Sequence, residues 1–239
     1  MQIFLLLFLV TLGLTMWTRG KYRKAYDEEL KNVARSGLTG AQLARRILES
    51  RGIEVVEIVR GRGLLADSYD PGRKRISLAP QNFGGSTYAA LGIAAHQAGH
   101  VLQHREGHKP LFWRISAVRA TLWLSLPLVL VGLLMIIIPG FGKTGVFLLC
   151  GGWSLVAGYN LLTLPVELDA SERARQALDR MRPKPFSSME ERLGVERMTR
   201  AASASHVDGV FNVISWLGSW FLPAAGAKEE EKGEKEVSG

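Results

Sequence analysis

Three long stretches of this chain carry almost no charge, and they limit what it can fold into more than any other feature. Residues 1–17 and 145–164 contain no charged side chain, and residues 118–139 contain only Arg119. Their lengths bracket the roughly 20 residues that a helix needs to cross the hydrocarbon layer of a membrane. We therefore predict a multi-pass α-helical membrane protein, with the lipid bilayer as a partner.

Basic residues beside these stretches predict how the chain is oriented. They cluster after the first stretch and again after the third, at Arg19, Lys21, Arg23, Lys24, Arg173, Arg175, Arg180 and Arg182. Because such residues stay on the cytoplasmic side, residues 18–117 and the chain after residue 165 are expected in the cytoplasm. A cleaved secretory signal is the alternative for residues 1–17, but no basic residue precedes the apolar run and no small-x-small cleavage site follows it.

The same pattern predicts five segments. Residues 1–17 form a membrane anchor, residues 18–117 a cytoplasmic segment, and residues 118–164 a transmembrane hairpin. Residues 165–222 form a helix and a C-terminal apolar segment, and residues 223–239 form a disordered charged tail.

The net charge of +8 comes from basic residues that flank the membrane stretches, without interleaved aromatic residues. We therefore expect no nucleic-acid partner.

The cytoplasmic segment has the pattern of a small α+β unit. A capping box that begins at Thr39 predicts a helix over residues 40–51. Strands are expected over residues 53–59 and 75–78, the second after a turn signal at residues 69–72. We hypothesise that residues 75–78 form an exposed edge strand able to pair with an extended peptide. A further helix is expected over residues 86–104.

Two histidines on that last helix are suited to hold a metal ion. His96 and His100 are four residues apart, so both imidazoles can reach one ion. In the zinc-protease signature the residue after the first histidine is a glutamate that takes a proton from the activated water, but here it is Gln97. The single cysteine, Cys150, lies in an apolar stretch, so any metal must be held by histidine and carboxylate.

The histidine series continues, but with weaker signals. His104 and His108 repeat the spacing, yet Glu106 would point away from an ion bound to His104. Gly107 and Pro110 also disfavour a regular helix there. We interpret His104 and His108 as a solvated helix end near the membrane surface.

The best candidate for a third ligand is Glu167. It follows Pro165, which is suited to the first turn of a helix, and it comes directly after the third apolar stretch. The alternative from spacing alone is that Glu167 and Asp169 simply favour the positive end of that helix.

Several motifs in order resemble the YugP-type neutral zinc metallopeptidases of the bacterial cytoplasmic membrane. They lie at residues 39–40, 67–71, 94–103 and 160–171. The resemblance implies a zincin-like active-site helix carrying HxxxH and a Zn²⁺ site formed by His96, His100 and Glu167. It also implies a supporting position for Asp169 behind the ligands.

The chain departs from the family pattern at three places. Gln97 stands where the family has its catalytic glutamate, and Ser68 stands where histidine is usual. The family ends in a further membrane helix, whereas charged residues interrupt residues 198–222 here. The apolar part, residues 210–222, is too short to span unaided, so we predict a partial span or an interfacial helix.

The expected function follows from the resemblance and from Gln97. The chain is predicted to be a cytoplasmic-membrane zinc metallopeptidase with its active site on the cytoplasmic side. Hydrolysis of a peptide or membrane-protein substrate by a zinc-activated water would be attenuated, because an amide does not replace a general base. One alternative is a zinc-binding pseudopeptidase that binds peptides or regulates a membrane partner. Another is a structural membrane protein without a metal.

Overall fold

The computed structural model describes residues 2–62 and 66–204, which form a mostly helical protein with one small sheet. The elements in chain order are α1 (Gln2–Glu29), α2 (Gly40–Glu49), β1 (Glu57–Arg60), β2 (Ser68–Asp70), β3 (Arg75–Leu78), α3 (Pro80–Phe83), α4 (Tyr88–Arg105), α5 (Pro110–Ile137), α6 (Gly142–Leu162), α7 (Leu164–Arg180) and α8 (Met189–Ala202). The predicted C-terminal apolar part at residues 210–222 and the tail at residues 223–239 lie outside the described residues.

The three apolar stretches lie on α1, α5 and α6, which pack together. Phe8 and Trp153 meet edge to face at 6.1 Å between ring centroids, joining α1 to α6. Between α5 and α6 the backbones come close, since a Cβ at Gly145 would lie 2.6 Å from the carbonyl oxygen of Gly132. Small residues at such contacts are typical of helix pairs in membranes.

Two of these helices, α1 and α5, extend beyond their apolar stretches. α1 continues past residue 17 to Glu29, and α5 already begins at Pro110. Among the described residues, one helical stretch across α6 and α7, Gly142–Arg180, is both long enough and apolar enough to cross a membrane, with a mean hydropathy of 1.5 over an 18-residue window. The multi-pass arrangement stays a prediction.

The sheet has the strand order β1-β3-β2. β3 is parallel to β1 and antiparallel to β2, so both of its edges are paired. The hypothesis that residues 75–78 form an exposed edge strand is therefore wrong. The strand predicted over residues 53–59 begins only at Glu57, and β2 was not predicted.

Helix α4 lies at the centre of the protein, packed by α2, α7 and α8. Every residue from Tyr88 to Gln103 is buried, and small side chains let the neighbours approach closely. At Gly99 an added Cβ would lie 2.0 Å from the carbonyl oxygen of Ala170 on α7.

The predicted capping box of α2 is confirmed, because Thr39 and Gln42 bond to each other's backbone amides.

Candidate metal centre

The structure brings His96, His100 and Glu167 together. One helical turn of α4 places the two imidazoles 4.8 Å apart between ring centroids. Pro165 lies in the first turn of α7, and Glu167 projects from there toward α4. Its Oε2 lies 3.1 Å from Nε2 of His96 and 3.1 Å from Nε2 of His100. The three side chains are fully buried.

This group has the composition of a catalytic zinc site. One ligand atom from each residue can be chosen so that all lie within 4.8 Å of one another. Two imidazoles and one carboxylate are an established zinc ligand set that leaves a coordination position open. The residues present therefore fit Zn²⁺, while zinc ligation by His96, His100 and Glu167 stays a prediction.

Gln97 is buried beside the two histidines on α4, and its Oε1 has no hydrogen-bond partner among the described residues. A buried polar atom without a partner costs about 1–3 kcal/mol. Such an oxygen fits a site that takes up a further polar group. The position that the signature gives to the general base is therefore buried on the same helix as the two histidines, but it carries an amide.

Arg114 is a member of this centre that the sequence analysis missed. It lies on α5, is almost fully buried, and donates from Nε to Oε1 of Glu167. The two carboxylate oxygens thus have different neighbours, since Oε1 contacts the guanidinium and Oε2 faces the histidines. The sequence carries little signal for it, because Arg114 comes just before the apolar stretch at residues 118–139, where basic residues are common.

A second layer of polar side chains contacts the other ring nitrogens. His96 Nδ1 lies 2.9 Å from Oγ of Ser171 on α7, and His100 Nδ1 lies 2.8 Å from Oε1 of Gln103 on α4. Asp169 accepts a hydrogen bond of 2.7 Å from Nε2 of Gln103. Asp169 therefore stands behind His100, at the supporting position that the resemblance implied.

The pKa of His100 is lowered to about 4, mainly by burial and then by the positive charge of Arg114. Glu167 acts in the opposite direction, because its carboxylate favours the protonated ring. His100 is therefore a neutral imidazole near pH 7. Neutral imidazole is the form that binds metal ions.

His104 and His108 lie outside the cluster of His96, His100 and Glu167. His104 Nδ1 is 2.7 Å from the hydroxyl of Tyr69, which ties α4 to strand β2. His108 Nε2 lies 4.0 Å from Oδ2 of Asp169. Helix α4 ends at Arg105 and Gly107 has a φ of 68°, as the glycine signal predicted.

The motif at residues 67–71 supports this arrangement from outside the centre. The half-buried Asp67 carboxylate accepts from the backbone amide of Ala79 at 2.8 Å and from Asn82 Nδ2 at 2.9 Å. Ser68 is paired with Ser77 in the sheet. The motif thus fixes the hairpin that carries Tyr69 to α4.

Comparison with known proteins agrees with this geometry. A family described as "Putative neutral zinc metallopeptidase" matches residues 4–224 of the chain. The chain is also 32% identical over 208 residues to the "Putative membrane protease YugP" of Bacillus subtilis (strain 168), an alignment that covers 86% of this chain and 89% of that protein. No solved structure matches the chain.

Proposed function

Because this chain belongs to the neutral zinc metallopeptidase family, we propose that it is an integral-membrane zinc metallopeptidase whose hydrolytic rate is attenuated by Gln97. The proposal rests on the observation that His96, His100 and Glu167, which come from two distant parts of the chain, are buried side by side. Bound there, zinc supplies Lewis-acid activation of water and of the scissile carbonyl.

The side chains of the centre have different roles in this reaction. Because Arg114 donates to Oε1 of Glu167, Oε2 is the carboxylate oxygen that would hold the metal. Gln97 can orient a polar group by hydrogen bonding, but its amide takes up no proton near neutral pH. Since general-base assistance contributes roughly 100-fold to 10,000-fold, we expect slow hydrolysis.

The position of the centre along the chain supports a site near the membrane surface. Glu167 follows the last residue of α6, Leu162, by a little over one helical turn, and Arg114 precedes the apolar stretch of α5 by about the same distance. One turn rises about 5.4 Å. If α5 and α6 cross the bilayer, a peptide or membrane-protein segment close to the cytoplasmic surface is the substrate that can reach the centre.

A second candidate function is a zinc-binding pseudopeptidase. The observation that favours it is that the one position assigned to the proton acceptor is an amide, although the rest of the centre is intact. Such a protein would bind a peptide or regulate a membrane partner without cleaving it.

The metal content of the purified chain tests both functions. We expect close to one zinc per chain after gentle purification in detergent. His96→Asn and Glu167→Gln are expected to lose the metal, whereas His108→Asn is the matched control and keeps it. Less than about 0.1 zinc per wild-type chain would contradict both readings, because each depends on a site of this ligand set.

Peptidase assays on the wild type and on Gln97→Glu then separate the two. Restoring the carboxylate is expected to raise turnover by at least about 100-fold, with zinc content measured on both proteins. Detectable, zinc-dependent wild-type turnover supports the attenuated peptidase, and turnover only in Gln97→Glu supports the pseudopeptidase. Equal and substantial activity in both proteins would show that the base lies elsewhere in the chain.

A further inference from the structure

We propose that Ser171 and Gln103 are positioning residues that hold His96 and His100 in one tautomer, with the proton on Nδ1 and the Nε2 lone pair directed at Glu167. The proposal rests on the metal site of the proposed function, but it does not depend on peptidase activity. It follows from the direction in which each hydrogen bond must run.

The serine decides the tautomer of His96. Ser171 Oγ lies 2.8 Å from the backbone carbonyl oxygen of Thr199 on α8 and 2.9 Å from Nδ1 of His96. A hydroxyl has one proton, and a carbonyl oxygen only accepts, so Ser171 donates to Thr199. The contact to His96 then requires the ring to donate, which places the proton on Nδ1.

The glutamine decides the tautomer of His100 in the same way. Gln103 Nε2 lies 2.6 Å from the backbone carbonyl oxygen of Val166 and 2.7 Å from Oδ2 of Asp169. Both partners are acceptors, so the NH₂ group must face α7 and the amide cannot be flipped. Its Oε1 therefore faces His100, and His100 must donate from Nδ1.

The consequence is that α7 supplies the carboxylate of Glu167 and the hydroxyl of Ser171, and it orients Gln103 of α4 through Val166 and Asp169. With both protons on Nδ1, each Nε2 presents a lone pair to Oε2 of Glu167 at 3.1 Å. Three acceptor atoms then converge on one place, an arrangement that a shared cation satisfies. Partners of this kind fix the ring orientation and the tautomer of metal-binding histidines.

Zinc affinity of the full chain in detergent, measured by competition with a chelator, gives the first test. Gln103→Met and Ser171→Ala remove the hydrogen bonds with little change of volume, and each is expected to weaken zinc binding about 10-fold to 100-fold. The matched controls are Gln81→Met and Ser116→Ala, since both residues are exposed and Ser116 donates to the carbonyl of Phe112 on its own helix. Wild-type affinity in both test variants would overturn the proposal.

The tautomers can be read directly from the wild type, so the proposal stays testable if a variant fails to fold. Histidine-selective ¹⁵N NMR of the full chain, zinc-loaded and zinc-free, distinguishes a protonated Nδ1 from a protonated Nε2. We expect protonated Nδ1 on both His96 and His100. A proton on Nε2 of either ring would overturn the proposal. Failure of the wild type to bind zinc would contradict the proposed function instead, because the zinc-free spectrum still reports the tautomers.

Discussion

At the scale of single residues, Arg114 and Glu167 form a buried ion pair in the centre. Both side chains are almost completely removed from solvent. A buried ion pair adds little net stability compared with apolar residues, but removal of one partner leaves a buried charge uncompensated and costs about 3–5 kcal/mol. The pair therefore matters most when it is half broken.

We predict that Arg114→Met destabilises the zinc-free protein by about 3–5 kcal/mol. The double variant Arg114→Met/Glu167→Gln should recover part of this loss, because no unpaired charge is left. Denaturant unfolding in detergent, with a chelator present, measures the free energy of unfolding of the single and the double variant. Arg73→Met is the control, since its contact with Asp70 is long and exposed at 4.0 Å. An equal effect of Arg73→Met and Arg114→Met would contradict the prediction.

His100 predicts a second effect at this scale, a loss of stability in mild acid. Its pKa in the folded protein is lowered from 6.5 to about 4, so between these values the unfolded chain binds a proton that the folded protein does not. The neutral His100 ring therefore contributes fully to the free energy of unfolding above about pH 6.5, and this contribution decreases as the pH falls to about 4. The loss reaches at most about 3 kcal/mol, at about 1.4 kcal/mol for each pKa unit.

Unfolding of the zinc-free protein at several pH values measures this slope. His100→Asn removes the titrating ring and is expected to reduce the dependence between pH 4 and 6.5. A wild-type stability that does not change over this range would contradict the assignment to His100.

At the scale of elements, the contact between α4 and α7 sets the distance between the histidines and Glu167. Gly99 lies between His96 and His100, and its missing side chain lets the backbone of Ala170 approach. Since the obstacle to a Cβ is backbone rather than a flexible side chain, the two helices would have to move apart. The ligand geometry and the packing therefore depend on the same position.

We expect Gly99→Ala to lower stability by about 1–3 kcal/mol or more, as overpacked core positions do, and to reduce zinc content. Gly20→Ala on α1 is the matched control, because a Cβ there has no atom within 4 Å. Thermal unfolding and zinc content of the two variants in detergent check the prediction. Wild-type zinc content together with a wild-type melting temperature for Gly99→Ala would refute it.

Local signals at this scale predicted some elements and missed others for physical reasons. The capping box of α2 and the spacing of His96 and His100 on α4 are contacts within one helix, so they are visible in the sequence. Strand β2 has three residues and α3 has four, too few to show a period. Which strand occupies the sheet edge depends on pairing between distant segments, and for this reason β3 was misjudged.

At the scale of the whole molecule, the centre is assembled from three helices, of which α4 and α5 are consecutive in the chain and α7 follows after α6. α4 supplies the histidines, α7 supplies Glu167, and α5 supplies Arg114. The histidine pair could be predicted from spacing, and Glu167 became the preferred third ligand only through the family resemblance. Arg114, Ser171 and the role of Gln103 could not be predicted, because their partners are fixed only when the helices pack.

The orientation of the whole chain in the membrane gives the last prediction. Basic residues follow the first and third apolar stretches, so the turn between α5 and α6 should lie outside and the sheet and α4 inside. Cys150→Ala removes the single native thiol, which allows one new cysteine to be placed at an exposed position on each side. Lys143 in the first turn of α6 and Arg73 beside the sheet are both exposed.

In cells whose cytoplasmic membrane is intact, Lys143→Cys in this background should react with a membrane-impermeant maleimide. Arg73→Cys should react only after the membrane is permeabilised. The reverse pattern would place the zinc centre outside the cytoplasm, and equal labelling of both positions in intact cells would show that the helices do not separate them. Because Arg114 lies on α5 and Glu167 lies on α7 directly after α6, the side found for Arg73 also decides from which compartment a substrate can reach Gln97.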